Sequence, residues 1–215
     1  HRNPLGVIGA IIPWNFPIIL LAFKMPAALL AGNSIVIKPA PTTPLSALHL
    51  GRLIADALPP GVVNIIADNN DLGDKITTHK GISKISFTGS TATGARVMAS
   101  AASTLKRITL ELGGNDAGII MDDVDVEAVA PQIFDGAFGN NGQICIAMKR
   151  VYAHESIYDK LVEQLAKLAE EAIVGNGLEQ GTQLGPLQNK MQFEKVKDYI
   201  EDGRANGTIV AGGDV

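Results

Sequence analysis

The feature that most constrains the fold is a regular alternation of short apolar segments with helical ones over the first half of the chain. β-Branched residues fill the apolar segments, and proline or glycine ends them. The pattern predicts strands at residues 6–12, 34–38, 62–66, 82–87 and 107–112. It predicts helices at residues 18–31, 44–57, 71–79 and 92–102. This order is typical of a doubly wound α/β fold, with helices on both faces of a parallel sheet.

The pattern changes after Gly114. Strands are predicted at residues 117–121 and 150–154, and helices at residues 126–138, 158–173 and 188–206. Asp122 to Asp125 form a polar turn that can cap the helix after it. We therefore expect a domain boundary near residues 113–116, followed by the start of a second α/β domain.

Composition excludes several classes of protein. The 215 residues carry a net charge of −4 and no basic stripe, which argues against nucleic acid as a partner. One cysteine excludes a disulfide framework and predicts a cytoplasmic, reducing location. No membrane span is predicted, because Lys24 and Pro26 interrupt the longest apolar run. The chain has no starting methionine and no signal-peptide pattern, and we expect it to be a segment of a longer protein.

Polar residues stand where the predicted strands end, which is where a doubly wound sheet binds its ligand. Asn15 is either a turn former or a side-chain donor to an oxyanion. Lys38 is either a solvated strand end or a donor to phosphate or ribose. Gly89 and Ser90 open a helix whose free N–H groups suit a phosphate, although a plain strand–helix turn fits equally.

Two further residues could carry reaction chemistry. Cys145 follows a loop rich in glycine and asparagine, which suits the pocket of a nucleophilic thiolate, but the loop alone leaves open the alternative of a buried, inert thiol. Glu111 ends an apolar strand and precedes two glycines. It is either a salt-bridged interior residue or a general base whose pKa is raised in a cleft.

Five motifs in order resemble the NAD(P)-dependent aldehyde dehydrogenase superfamily, and the resemblance covers nearly the whole chain. They are Pro13-Trp14-Asn15-Phe16-Pro17, Lys38-Pro39, Phe87-Thr88-Gly89-Ser90, Glu111-Leu112-Gly113-Gly114 and Gly142-Gln143-Ile144-Cys145. The resemblance implies that residues 1–114 are part of the cofactor-binding domain. It implies that residues 115–215 are part of the catalytic domain that carries the thiol.

The resemblance also implies a role for each matched residue. Cys145 is the nucleophile that attacks an aldehyde, Asn15 helps to hold the oxyanion, and Glu111 activates the water that releases a carboxylic acid. The cofactor is NAD or NADP, no metal is implied, and the full-length protein is expected to form a homo-oligomer. The residues implied to contact the cofactor are Ile12, Pro13, Trp14, Lys38, Gly89, Ser90 and Leu112.

Some positions depart from the family pattern. Pro41 replaces a glutamate that binds the adenine ribose in many NAD-preferring members, so NADP would be tolerated. Ala67 to Asp71 replace a glycine-rich segment, and their acidic side chains favour NAD. Three alternatives stay open: a CoA-acylating dehydrogenase, which generally lacks the glutamate at the position of Glu111; a cysteine hydrolase; and a catalytically silent binding segment.

Overall fold

The computed structural model describes residues 3–214, which divide into two compact units. The first unit runs up to Gly113, and the second begins at Gly114. The strands of the first unit are β1 (Val7–Ile11), β2 (Ser34–Lys38), β3 (Val63–Ile65), β4 (Ile82–Thr88) and β5 (Arg107–Glu111). Its helices are α1 (Pro17–Leu30), α2 (Leu45–Leu53), α3 (Gly73–Thr78) and α4 (Thr91–Ala102).

The five strands form one parallel sheet in the order β3-β2-β1-β4-β5. Neighbouring residues of β1 point to opposite faces. Ile8, Ala10 and Ile12 pack with residues of α1 and α2, whereas Ile11 packs with residues of α3 and α4. Helices therefore cover both faces of the sheet, and the predicted doubly wound fold is confirmed.

Local signals explain where the helices begin and end. Pro17 starts α1, where its missing N–H costs nothing, and Gly32 follows the helix with φ +77°. The predicted helix 44–57 is too long, because α2 ends at Leu53 and a 3₁₀ turn occupies Ala55–Ala57. Leu58 is extended ahead of Pro59, as the residue before a proline usually is.

The second unit contains β6 (Asp116–Ile120), α5 (Val126–Phe138), β7 (Met148–Ala153), α6 (Tyr158–Glu171) and α7 (Lys190–Asn206). The strands β6 and β7 pair in parallel, and α5 connects them through the loop that carries Cys145. The Asp125 side chain accepts a hydrogen bond from the Glu127 N–H at 3.1 Å, which confirms the expected helix cap. Val126, Ala130 and Ile133 of α5 form the core of this unit with Leu161 of α6.

No helix within residues 3–214 is both long and apolar enough to cross a membrane.

Candidate active site

The strand order of the first unit brings the predicted ligand residues to one end of the sheet. The chain runs from β1 outward to β3 and then returns to β4, so the strand order reverses between β1 and β4. The carboxyl ends of strands at such a reversal form the usual crevice for a nucleotide. Ile12, Pro13, Trp14 and Asn15 follow β1, Lys38 ends β2, Gly89 and Ser90 follow β4, and Glu111 and Leu112 lie at the end of β5.

Backbone hydrogen bonds hold these strand ends together. The Ile12 N–H donates to the Lys38 carbonyl at 3.0 Å, and the Gly89 N–H donates to the Glu111 carbonyl at 3.0 Å. Asn15 is half-buried and Glu111 is exposed. The exposure of Glu111 does not fit an interior salt-bridged residue, and the first unit by itself does not supply the cleft that the alternative of a general base requires.

The start of α4 has features that fit a phosphate group. Ser90 caps the helix, and its Oγ accepts a hydrogen bond from the Thr93 N–H at 3.2 Å. A Cβ at Gly89 would lie 2.5 Å from the Phe87 ring, so only glycine allows this approach of backbone and ring. Thr88 Oγ1 is buried and has no hydrogen-bond partner among residues 3–214. An unpaired buried hydroxyl beside a capped helix start fits a polar ligand at this end of the sheet.

Lys38 is buried in an ion pair, which contradicts the alternative that it is a solvated strand end. Its Nζ lies 2.8 Å from Asp68 Oδ1, and the exposed fractions of the two side chains are 4% and 1%. Lys38 Nζ also donates to the Pro39 carbonyl at 3.3 Å, and Asp68 Oδ2 accepts from the Leu72 N–H at 3.0 Å. Burial alone would raise the pKa of Asp68. The hydrogen bonds from Lys38 and Leu72 outweigh burial and lower that pKa below its ordinary value.

A second lysine, Lys24 of α1, lies near the carboxylate of Glu111. Its Nζ donates to Ser86 Oγ of β4 at 2.9 Å. Burial lowers the pKa of Lys24 to about 8; the negative charge of Glu111 acts in the opposite direction, and the positive charge of Lys84 lowers it further. Glu111 therefore has a nearby cation that loses its charge in mildly alkaline solution.

The thiol of Cys145 is exposed on the loop that leaves α5. Asn140, Asn141 and Gly142 take left-handed conformations with φ of 51°, 56° and 68°. Asparagine and glycine tolerate this region better than other residues, which explains the composition of the loop. The exposed thiol argues against the alternative of a buried, inert cysteine.

Contacts within the second unit hold this loop on both sides of Cys145. The Asn141 side-chain amide donates to the Gly185 carbonyl, and Gln143 Oε1 accepts from the Gln188 N–H at 3.0 Å. Lys149 Nζ donates to the Ile144 carbonyl at 2.8 Å and to the Cys145 carbonyl at 3.4 Å. The nucleophile candidate is therefore presented on a braced loop, whereas Asn15 and Glu111 belong to the first unit.

The sequence did not indicate Lys24 as a neighbour of Glu111, and it placed Asp68 in an acidic segment near the adenine without indicating its partner. A signal existed for Lys24, because it is the one charged residue within the apolar helix α1. Asp68 lies in a polar loop, thirty residues from Lys38 along the chain, and no local pattern reveals their pairing.

Comparisons with known proteins identify the family of the chain. The model of the aldehyde dehydrogenase family matches residues 1–215. The chain is 48% identical over 216 residues to the mitochondrial aldehyde dehydrogenase of Leishmania tarentolae, a match that covers 99% of this chain and 43% of the relative. It is 46% identical to DhaS of Bacillus subtilis, a putative aldehyde dehydrogenase, with 99% of this chain and 44% of the relative covered.

A solved structure shows the same fold. The NAD⁺ complex of an aldehyde dehydrogenase from Bacillus cereus superposes with a TM-score of 0.96 at 44% identity. That match covers 100% of this chain and 44% of the solved chain, so the chain spans less than half the length of the relatives that it matches. The family match and these identities show that the chain belongs to the aldehyde dehydrogenase family.

Proposed function

We propose that the complete polypeptide carrying this chain oxidises an aldehyde to a carboxylic acid with NAD⁺ or NADP⁺. The observation that carries the proposal is the exposed Cys145 on its braced loop, in a chain of this family. The NAD⁺ complex of the Bacillus cereus enzyme supports a nicotinamide cofactor. In this proposal residues 1–114 belong to the cofactor-binding domain and residues 115–215 to the catalytic domain.

The cofactor would lie across the carboxyl ends of β1, β2 and β4. Ile12, Pro13 and Trp14 would line the crevice after β1, and Leu112 would close it at the end of β5. The capped start of α4, with Gly89 and Ser90, suits the pyrophosphate, and Lys38 suits the adenine ribose. When bound, the nicotinamide supplies the hydride acceptor for the oxidation.

Covalent catalysis would begin at the thiolate of Cys145. Its sulfur attacks the carbonyl carbon, a C–S bond forms, and the carbonyl oxygen gains the negative charge. The side-chain amide of Asn15 and the backbone N–H of Cys145 donate to that oxygen. Loss of hydride then converts the hemithioacetal to a thioester.

Glu111 would act in the second half of the reaction. Its carboxylate takes a proton from water, the resulting hydroxide attacks the thioester carbonyl, and the C–S bond breaks. The products are the carboxylic acid and the regenerated thiolate. The presence of Glu111 supports water, rather than CoA, as the acceptor of the acyl group.

A homo-oligomeric state and a cytoplasmic location remain predictions.

The test is the formation of NADH or NADPH by the complete polypeptide against a panel of aldehydes. We expect Cys145→Ala to lower kcat by about a thousandfold or more while nucleotide binding persists. Glu111→Gln should form the thioester normally and so release one equivalent of reduced cofactor in a burst. Hydrolysis of the thioester should then be slow, and added CoA should not restore the wild-type rate.

Three outcomes would contradict the proposal in different ways. Undiminished turnover by Cys145→Ala would remove the thiol from the mechanism. A CoA-dependent rate in the wild type would favour the acylating alternative. Nucleotide binding without turnover of any aldehyde would favour a silent binding segment.

A further inference from the structure

The buried ion pair of Lys38 and Asp68 stands where a doubly wound fold distinguishes NAD from NADP. In that architecture the carboxyl end of the second strand approaches the adenine ribose, whose 2′ position is a hydroxyl in NAD and a phosphate in NADP. Lys38 ends β2, and Asp68 follows β3, the strand that pairs with β2. The charges of both side chains therefore bear on this choice.

Asp68 compensates the charge of Lys38 from within the protein. The Nζ–Oδ1 distance is 2.8 Å, and both side chains are almost fully excluded from solvent. A second N–H of the ammonium donates to the Pro39 carbonyl, and the third has no partner among the residues that the structure describes. One N–H of a neutralised pair suits a ribose hydroxyl, whereas a phosphate dianion requires uncompensated positive charge.

The carboxylate of Asp68 is itself fixed by its loop. Its second oxygen accepts the Leu72 N–H at 3.0 Å, which anchors the loop between β3 and α3. Asp68 therefore cannot turn away to release Lys38 without breaking that hydrogen bond. Asp71 of the same loop is exposed, so solvent screens its charge, unlike that of the buried Asp68.

We propose that Asp68 is a positioning residue that makes the protein select NAD⁺ over NADP⁺, by holding and neutralising Lys38 in the buried pair. The inference rests on the proposed function, because it requires the nucleotide to bind at these strand ends. It assigns to the β3–α3 loop the selectivity that Pro41 cannot provide, since proline has no charge.

The test compares kcat/KM for NAD⁺ and NADP⁺ in the complete polypeptide. We expect the wild type to favour NAD⁺ by about tenfold or more. Asp68→Asn keeps the shape of the side chain but frees the charge of Lys38. It should raise the NADP⁺/NAD⁺ ratio about tenfold, through KM rather than kcat, because the adenosine end is remote from the reacting atoms.

Two control variants separate the effect of the Lys38–Asp68 ion pair from the effect of the charge of the loop. Asp71→Asn removes the same charge from the same loop without touching Lys38, and it should leave the ratio within about twofold of the wild type. The double variant Lys38→Met/Asp68→Asn removes both charges of the pair. No free cation is then left to attract a phosphate, so the gain for NADP⁺ should vanish. A loss of packing alone would weaken both nucleotides equally and leave the ratio unchanged.

Several results would overturn the inference. They are a wild-type preference for NADP⁺, an unchanged ratio in Asp68→Asn, or an equal change in Asp71→Asn. If Asp68→Asn fails to fold, the double variant decides, since it leaves no unpaired buried charge. In the double variant, a KM for NAD⁺ about fivefold above the wild-type value at constant kcat supports the inference, because the ribose has lost its donor. An unchanged KM in that variant overturns the inference.

Direct titration separates this inference from the proposed function. A wild-type protein that binds neither NAD⁺ nor NADP⁺ would defeat both. A wild-type protein that binds NAD⁺ and oxidises aldehydes, with variants that leave the ratio unchanged, would defeat only the role of Asp68.

Discussion

At the scale of single residues, Lys24 has an ionisation that links stability to pH. Burial lowers its pKa to about 8, whereas the ordinary value of 10.5 applies to the unfolded chain. Between these values the unfolded state binds more protons, so stability should rise with pH over this window. After allowance for solvent screening of this half-buried group, we expect a gain of about 1–2 kcal/mol.

Urea denaturation between pH 7.5 and 10.5 measures this gain, and Lys24→Met should remove it. Lys80 is an exposed lysine of the same unit, and Lys80→Met should keep the wild-type slope. If the slopes of wild type and Lys24→Met coincide, the Lys24 ammonium is not destabilised by the fold. The same titration weakens the attraction between Lys24 and Glu111 above pH 8, because a neutral amine carries no charge.

At the scale of elements, the loop from Phe138 to Cys145 combines strained backbone with specific braces. Asn141 has φ of 56° and donates its amide to the Gly185 carbonyl. Asn141→Ala should lower the unfolding free energy by about 2 kcal/mol, since alanine tolerates the left-handed region poorly and lacks the amide. Asn141→Gly tolerates the conformation and loses only the hydrogen bond, so we expect about half that loss.

Unfolding by urea checks these values, and kcat with an aldehyde substrate should fall in the same order. Equal effects of the two substitutions would show that the backbone conformation costs nothing here. An unchanged kcat in Asn141→Ala would show that the brace does not position Cys145.

The sequence could predict the strands and helices but not the pairing of side chains between them. Strands and helices were predicted well because proline, glycine and capping residues mark their ends locally, as Pro17, Gly32 and Asp125 do. The same signals place Lys38, Gly89 and Glu111 at strand ends, whereas the roles of these residues come from the family resemblance and stay predictions. The pairing of Lys38 with Asp68 depends on β2 and β3 lying side by side, which only the folded sheet provides.

At the scale of the whole molecule, the chain exposes apolar side chains that folded proteins usually bury. Phe23 and Leu30 of α1 are 71% and 89% exposed, and Ile119 of β6 is 71% exposed. Clusters of exposed large apolar groups mark surfaces that meet other protein. Relatives are more than twice as long as this chain, so further polypeptide is available in them to cover such surfaces.

We therefore expect the isolated 215-residue chain to turn over aldehydes at least about a thousandfold more slowly than the complete polypeptide. Catalysis needs reacting groups fixed to within a fraction of an ångström. In the isolated chain the exposed apolar side chains of α1 and β6 lack the protein that would pack against them, so these elements hold the reacting groups less firmly. Steady-state kinetics on both proteins, with Cys145→Ala of each as the blank, measures the ratio. Rates within tenfold of each other would show that these residues alone assemble a competent site, and that the exposed surfaces of α1 and β6 contribute nothing to it.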